Sequence, residues 1–528
     1  MSWTRALGLV AMLGLIACEA NIPSSGLGTG GATSSGNGGA PAPGSGGAPA
    51  PGSGGAPAPG SGGAPTSRGT GGGPSRGSGG APGGTGGAST GSGGAGTGGA
   101  GSGGASLGGA PGGPLPDRIA TVEVTVPAGV KPGVRNWRIW ASTMLRVAPV
   151  YIAPLANCGT LVCYTSGSAS APNARLVRLD GADRLAGALD LGAGLECRGL
   201  AAEADGHFAA LLWDNSTDRI YVRRFDLAGT QSWSTELTNA DNHPTDFGLG
   251  ESRLEHGGGR YGAYYHVHSD SGHEGDTLKF TDAASGAQTT QWAWGCSHSM
   301  SDLLSYHPQA NSFLPVCVTD CYPGTSGSNF PTDSIGGIYT DNRNRVMNVP
   351  AGCNGSVAGE LGGAAIAPVG WKVVFNAHQG AVTMGDRSYN TSTMNQDIGF
   401  ASIAMNHTVS GAVVWLTTTS GINEADSAMA RWQPEGDATE QYVVGWAEPG
   451  ASATAPAAAY RLARVGATGS FLEAPVDVAA RARWGQRDDP FRVHVNRDVV
   501  WAWFDSAGAT TLRFARLRSG GTATCAAF

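Results

Sequence analysis

The chain has 528 residues, of which 87 are glycine and 30 proline, and its formal net charge is −7. That balance excludes a strong nucleic-acid footprint, which needs clustered positive charge. Only three lysines occur, Lys131, Lys279 and Lys372, so arginine carries most of the positive charge.

The first element is a leader. Arg5 supplies a positive n-region, and Ala6 to Ile16 is an apolar run of eleven residues. Such a run is too short to span a bilayer as a mature helix and fits a secretory signal. It closes on Leu15-Ile16-Ala17-Cys18. This tetrapeptide resembles the lipobox of bacterial lipoproteins. The resemblance implies a signal peptide over 1–17 and acylation of Cys18, palmitate included. Several acyl chains on one residue anchor a protein stably, where a single chain binds only marginally. The implied place is extracytoplasmic, tethered to a bacterial membrane. Glu19 is not the Asp that the family's sorting rule links to inner-membrane retention, which points to the outer membrane or cell surface.

Residues 18–115 form the second element, a tract of Gly, Ser, Ala, Pro and Thr with almost nothing else. Gly-Gly-Ala-Pro-Ala-Pro-Gly-Ser occurs three times in register, at 38–45, 46–53 and 54–61. With no aromatics and almost no large apolar side chains, burial cannot offset the entropy of ordering, and a disordered tether is expected. As a flexible coil the tract averages ~50–60 Å end to end. Two G-x-S-x-G strings, Gly73–Gly77 and Gly87–Gly91, lie inside it. Neither stands between a strand and a helix, so neither is a hydrolase nucleophile elbow.

Residues 116–528 hold nearly all the tryptophans and every cysteine except Cys18. Short alternating strands are punctuated by turns, with no long segment of helical period. A tight turn followed by an apolar strand recurs seven times. The turns are Asn157-Cys158-Gly159, Asp205-Gly206, Gly257-Gly258-Gly259, Gln309-Ala310-Asn311, Pro368-Val369-Gly370, Glu435-Gly436-Asp437 and Asn496-Arg497-Asp498. Their centres lie 48, 52, 52, 59, 67 and 61 residues apart. In several units a second hairpin follows, its third strand ending at Asp180, Asp226, Asp282 or Asp341. Gly181, Gly229 and Gly286 are placed to supply positive φ at three of these turns. The fold class is therefore all-β, and the pattern resembles a seven-bladed β-propeller with four antiparallel strands per blade. A six-bladed ring and two β-sandwiches are the alternatives. Val122–Val126 is placed to close the ring by joining the last blade.

Eight cysteines remain after Cys18: 158, 163, 197, 296, 317, 321, 353 and 525. An even count in an exported chain points to as many as four disulfides of undetermined connectivity. Cys317-x3-Cys321 has half of a zinc spacing, but no matching pair follows, which favours a disulfide.

In a propeller the first strand of each blade starts on the face where the second strand ends, and loops of that face surround the central channel. In this register the second strands end near Asp214, His266, Asp320, Asn376, Glu448 and Asp505, and the loops before the next first strands carry Arg198, His298, Glu360, Arg487, Asp488 and Asp489. His298, Glu360, Glu448, Arg198 and Arg487 are the candidate ligand-binding residues. Six of the eleven histidines lie between His256 and His307. His266 and His268, two apart on a strand, project from one face and could chelate one ion. His273 lies in the following loop and His378 in the analogous loop two blades on. These four are the candidate ligands for zinc, iron or copper with an open position. His266–Asp276 nearly matches a cupin metal motif but misses its two glycines and its Glu spacing. Asp226-Leu-Ala-Gly229-Thr-Gln-Ser232-Trp233 is similar to a sialidase Asp-box with one extra residue, and in that family the box is a structural turn.

Two function classes stay open. One is a membrane-anchored lipoprotein whose propeller binds a glycan or protein ligand, with no cofactor certain. The other is a metal-dependent extracytoplasmic enzyme, a hydrolase, lyase or oxidoreductase, built on the histidine cluster.

Overall fold

A computed structural model describes residues 113–528, apart from 136–143, 239–251, 269–273, 293–295, 297–300, 320–335, 342–343, 352–356, 381–393, 451–456, 486–489, 523–524 and 526–528. The leader and nearly all of the tether lie outside the described residues. Among the described residues no helix is long and apolar enough to cross a membrane. The one helix among the described residues is Leu115–Arg118.

Seven four-stranded antiparallel sheets follow one another along the chain. Blade I is Tyr151–Pro154, Thr160–Gly167, Pro172–Leu179 and Leu185–Ala193. Blade II is Leu195–Ala202, Phe208–Asp214, Arg219–Phe225 and Gln231–Glu236, and blade III is Ser252–Gly257, Arg260–His268, Glu274–Asp282 and Gln288–Trp292. Blade IV is Asp302–His307, Ser312–Thr319, Gly336–Thr340 and Asn344–Val349. Blade V is Gly359–Ala367, Gly370–Ala377, Asp397–Ile403 and Val414–Trp415, and blade VI is Ala425–Arg431, Gln441–Glu448, Ala459–Gly466 and Phe471–Asp477. Blade VII takes Arg492–Val493, Val499–Phe504 and Thr511–Leu517 from the end of the chain and Ile119–Thr125 from its start. The first strands touch one another in order, and that of blade VII returns to that of blade I, closing a seven-membered ring.

The expected closure is real. Ile119–Thr125 pairs with Thr511–Leu517, with Val122 opposite Phe514. Three further links join blade VII to blade I. A disulfide connects Cys158 to Cys525, His494 Nε2 lies 3.1 Å from the Gly159 carbonyl oxygen, and Arg516 donates to both oxygens of Asp183 at 2.6 and 2.9 Å.

The seven recurrent turns are the seven connections from first to second strands. Each holds a residue of positive φ: Cys158, Gly206, Gly258 and Gly259, Asn311, Gly370, Gly436 and Arg497. A left-handed residue is what a tight connection between antiparallel strands requires. In the third-to-fourth-strand turns, Gly229 and Gly286 take positive φ as expected, but at the Asp180 turn the left-handed residue is Asp183, with φ 61°, and not Gly181. Asp180 Oδ1 accepts the amides of Ala182 and Arg184, which moves the bend two residues on.

Each blade is buried on both faces against its neighbours. Tyr261, Ala263, Tyr265 and Val267 of blade III pack with Ala209, Leu211 and Trp213 of blade II. By the period of two, Tyr264 and His266 face the other way, and Tyr264 packs with Leu304, Phe313 and Cys317 of blade IV. Two further disulfides are present among the described residues, Cys163–Cys197 between blades I and II and Cys296–Cys317 ahead of and within blade IV. Cys317 thus pairs with Cys296, while Cys321 and Cys353 lie outside the described residues.

Candidate functional site

First strands begin, and second strands end, on one face of the ring. Buried polar side chains gather there in three clusters, one at each of three blade junctions.

Between blades I and II the centre is Glu196, near the start of a first strand and 2% exposed. Arg198 Nη2 donates to it at 2.8 Å, and the Lys131 ammonium donates to its other oxygen. Burial pushes the Glu196 carboxyl up, but Arg198 and Lys131 together hold it below the usual range. The Arg198 guanidinium lies 4.9 Å from the centre of the Trp213 ring, so a stacked cation presents itself beside a fixed anion. Lys131 comes from the segment that crosses from the outer strand of blade VII to blade I, where its amide donates to the Thr165 carbonyl.

Between blades III and IV lie His266 and Asp276, cross-strand partners in the sheet. His266 Nδ1 is 3.2 Å from Asp276 Oδ1 and both side chains are fully buried. Among the described residues His266 Nε2 has no hydrogen-bond partner. Burial pushes the Asp276 carboxyl up, against the opposing effect of His266. Arg253, Tyr264 and Asp302 are buried at the same junction, and burial followed by the charges of Asp276 and Asp302 raises the Tyr264 hydroxyl well above its ordinary value.

Between blades V and VI, Asn376 at the end of a second strand is the hub. Its Nδ2 donates to Gln396 Oε1 at 2.6 Å and to Glu360 Oε2 at 3.3 Å, while its Oδ1 accepts from Ser427 at 3.2 Å. Asp397 accepts from Gln379 Nε2 and the Thr419 amide at 2.7 and 2.8 Å. Glu424 accepts from the Thr417 hydroxyl at 2.6 Å. Burial, reinforced by Asp397 and Glu448, pushes the Glu424 carboxyl up to about 7 against the hydrogen bonds from Thr417 and Thr419.

Of the residues singled out from sequence, Arg198 and Glu360 sit in polar clusters, inside the first strands Leu195–Ala202 and Gly359–Ala367 and not in the loops before them as expected. Glu448 is tied by a two-point ion pair to Arg461 of its own blade, at 2.7 and 3.2 Å. His298, Arg487 and His273 lie outside the described residues, as does the side chain of His268, although His268 does end a second strand. His266 was expected on an exposed rim; it is buried between two blades, because the pleat that aims position 265 at blade II aims 266 at blade IV. His378 is half-buried, with Nδ1 2.8 Å from the Asn395 carbonyl oxygen. His307 and His494 cross to neighbouring blades at carbonyl oxygens of Ala367 and Gly159.

Sequence reasoning passed over Lys131, Glu196, Gln396, Asp397 and Glu424. The signal for Glu196 was present: it alternates with Arg198 across Cys197 at the start of a first strand.

No protein-family model matches the chain, and no curated protein matches it. Solved structures do match. The β-propeller domain of the trilobed protease from Pyrococcus furiosus is 10% identical, with 70% of this chain and 93% of that one covered and a TM-score of 0.37. A PL25 ulvan lyase is 11% identical over 61% of this chain and 80% of that one, with a TM-score of 0.35. An endo-arabinase from Bacteroides thetaiotaomicron is 10% identical over 60% and 90%, with a TM-score of 0.29. These are likenesses of fold.

Proposed function

We propose that this chain is an exported lipoprotein, anchored to a bacterial membrane through Cys18, whose propeller binds a glycan or protein ligand. The observation that carries the reading is the pair of polar clusters at Arg198–Glu196–Lys131 and Glu360–Asn376–Gln396. Each holds charged or amide groups in place by a second row of partners, and such preorganisation reduces the cost of ordering on binding. The long tether supports the same reading, since it gives the domain reach beyond the membrane.

Two measurements test it. Cys18→Ser removes the thiol needed for the thioether and should leave a protein that neither fractionates with membranes nor takes up labelled palmitate; membrane retention with label would refute the anchor. On glycan arrays and in capture from cell-surface extracts, Arg198→Ala and Glu360→Gln should each weaken a detected ligand by about tenfold or more, the order of one lost charged contact. A ligand indifferent to both variants binds elsewhere.

The metal-dependent enzyme remains as a second reading because of one observation, the buried His266 whose Nε2 has no partner among the described residues. Its test is metal content of the oxidised protein, produced in medium containing zinc, iron and copper and purified without chelators. Background content in the wild type rejects this reading; stoichiometric content lost in His266→Ala supports it.

A further inference from the structure

Cys296 and Cys317 are joined by a disulfide at the junction of blades III and IV. One Asp276 carboxylate oxygen and the two sulfurs all lie within 4.8 Å of one another, and all three residues are buried. His266 Nδ1 lies 3.2 Å from Asp276 Oδ1, while its Nε2, fully buried, has no hydrogen-bond partner among the described residues.

The Asp276 carboxyl is held beside the disulfide by His266 and by the backbone amide of Cys296. Once the sulfurs are free thiolates, the same atoms have the chemistry of metal ligands. Two thiolates and a carboxylate are a borderline-soft donor set with three-point convergence, which suits zinc and leaves one tetrahedral position open. A histidine holding a ligating carboxylate in place is a familiar outer partner of such sites.

We propose that Asp276, Cys296 and Cys317 form a latent zinc-type site, closed while the disulfide is intact and opened by its reduction. In the step, a dithiol reductant gives two electrons and two protons to the Cys296–Cys317 bond. The S–S bond breaks, two thiols form, and the reductant leaves as its own disulfide. A divalent cation then displaces one proton from each thiol, forming two metal–sulfur bonds, and an Asp276 oxygen supplies the third. His266 acts as a positioning residue. The site uses donors different from the histidine set considered above and is independent of ligand binding at the other two clusters.

The test uses the full chain carrying Cys18→Ser, with Cys321→Ser and Cys353→Ser to remove the thiols not in described pairs. Cobalt(II) and zinc(II) are titrated under anaerobic conditions, before and after reduction with a phosphine that binds these metals weakly. The expected result is background uptake by the oxidised protein and one equivalent by the reduced protein. A thiolate-to-cobalt charge-transfer band should accompany it. Asp276→Asn should lower the affinity at least tenfold with the band retained, and Cys296→Ser with Cys317→Ser should abolish the band. His266→Gln should lower affinity less than Asp276→Asn does.

Three outcomes overturn the proposal. One is no stoichiometric uptake by a reduced chain that keeps its circular dichroism. Another is uptake unchanged in the double serine variant, which would place the metal on cysteines of the other two disulfides. The third is a reduced chain that unfolds and does not regain its fold when zinc is supplied. Uptake by the oxidised protein instead belongs to the histidine reading, so failures of the two readings are told apart.

Discussion

Glu424 is where a single side chain most clearly feels the fold. It is 2% exposed, and burial first, then Asp397 and Glu448, raises its carboxyl to about 7 from an ordinary 4.5. Between those pH values the folded chain holds a proton that the unfolded chain has lost. Stability tied to Glu424 is therefore fully present below pH 4.5 and declines as pH rises through 7. The full effect is at most ~3 kcal/mol. Glu424→Gln keeps a neutral side chain against Thr417 and should flatten that decline. Urea titrations of both proteins at pH 4.5, 6 and 7.5 measure the difference; parallel pH profiles would mean that Glu424 is not the titrating group. Lys279 behaves in the opposite sense. Buried and donating to the Leu237 carbonyl, its ammonium is pushed down to about 8, so its share of stability grows as pH rises from 8 toward 10.5. Neither effect was legible in the sequence, because the burial of both side chains is set by packing with residues far away in the chain.

At the scale of strands and turns, much was legible. Turn chemistry is local, and Asn157, Asp205 and Asn496 announce their bends by accepting an amide two residues on, at 3.0, 3.0 and 3.1 Å. The clusters were only half legible. Glu360 and Asn376 stand at strand ends and could be placed by counting. Lys131 could not, since it reaches Glu196 from a segment whose route depends on how the ring closes. The sequence also hid how closely first strands approach. A Cβ at Gly362 would sit 2.0 Å from Ser427 Oγ and 2.7 Å from the Ser427 carbonyl carbon, and one at Gly363 would sit 2.9 Å from the Met429 amide nitrogen. The hydroxyl can rotate away, but the backbone of the neighbouring strand cannot. Gly362→Ala is expected to destabilise by about 1–3 kcal/mol, as overpacking does, and to disturb the Ser427–Asn376 hydrogen bond. Chemical denaturation checks the first effect. Ligand affinity checks the second, and an unchanged protein on both counts would show that the strands can separate freely.

For the whole molecule the question is what keeps a ring of seven sheets shut. The closing strand was expected from sequence, but the covalent link was not: eight cysteines admit 105 pairings, and Cys158–Cys525 spans 367 residues. The two devices act at the same seam. Val124, buried and opposite Leu512, anchors the outer strand of blade VII, and Val124→Asp should detach it by placing a charge in an apolar core. With the disulfide intact, the rest of blade VII remains tied to blade I. Without it, non-covalent contacts such as Arg516–Asp183 and His494–Gly159 hold the seam. Cys525→Ser alone should cost on the order of 2–5 kcal/mol, the range for a native disulfide. Combined with Val124→Asp, the loss should exceed the sum of the single losses by about 0.5–3 kcal/mol, the coupling found between elements that share one structural task. Urea unfolding of the wild type, both single variants and the double variant supplies the four free energies. Strict additivity would confine the disulfide's effect to the unfolded chain. Excess loss in the double variant would instead identify the strand and the disulfide as two locks on one ring, each able to hold it when the other is released.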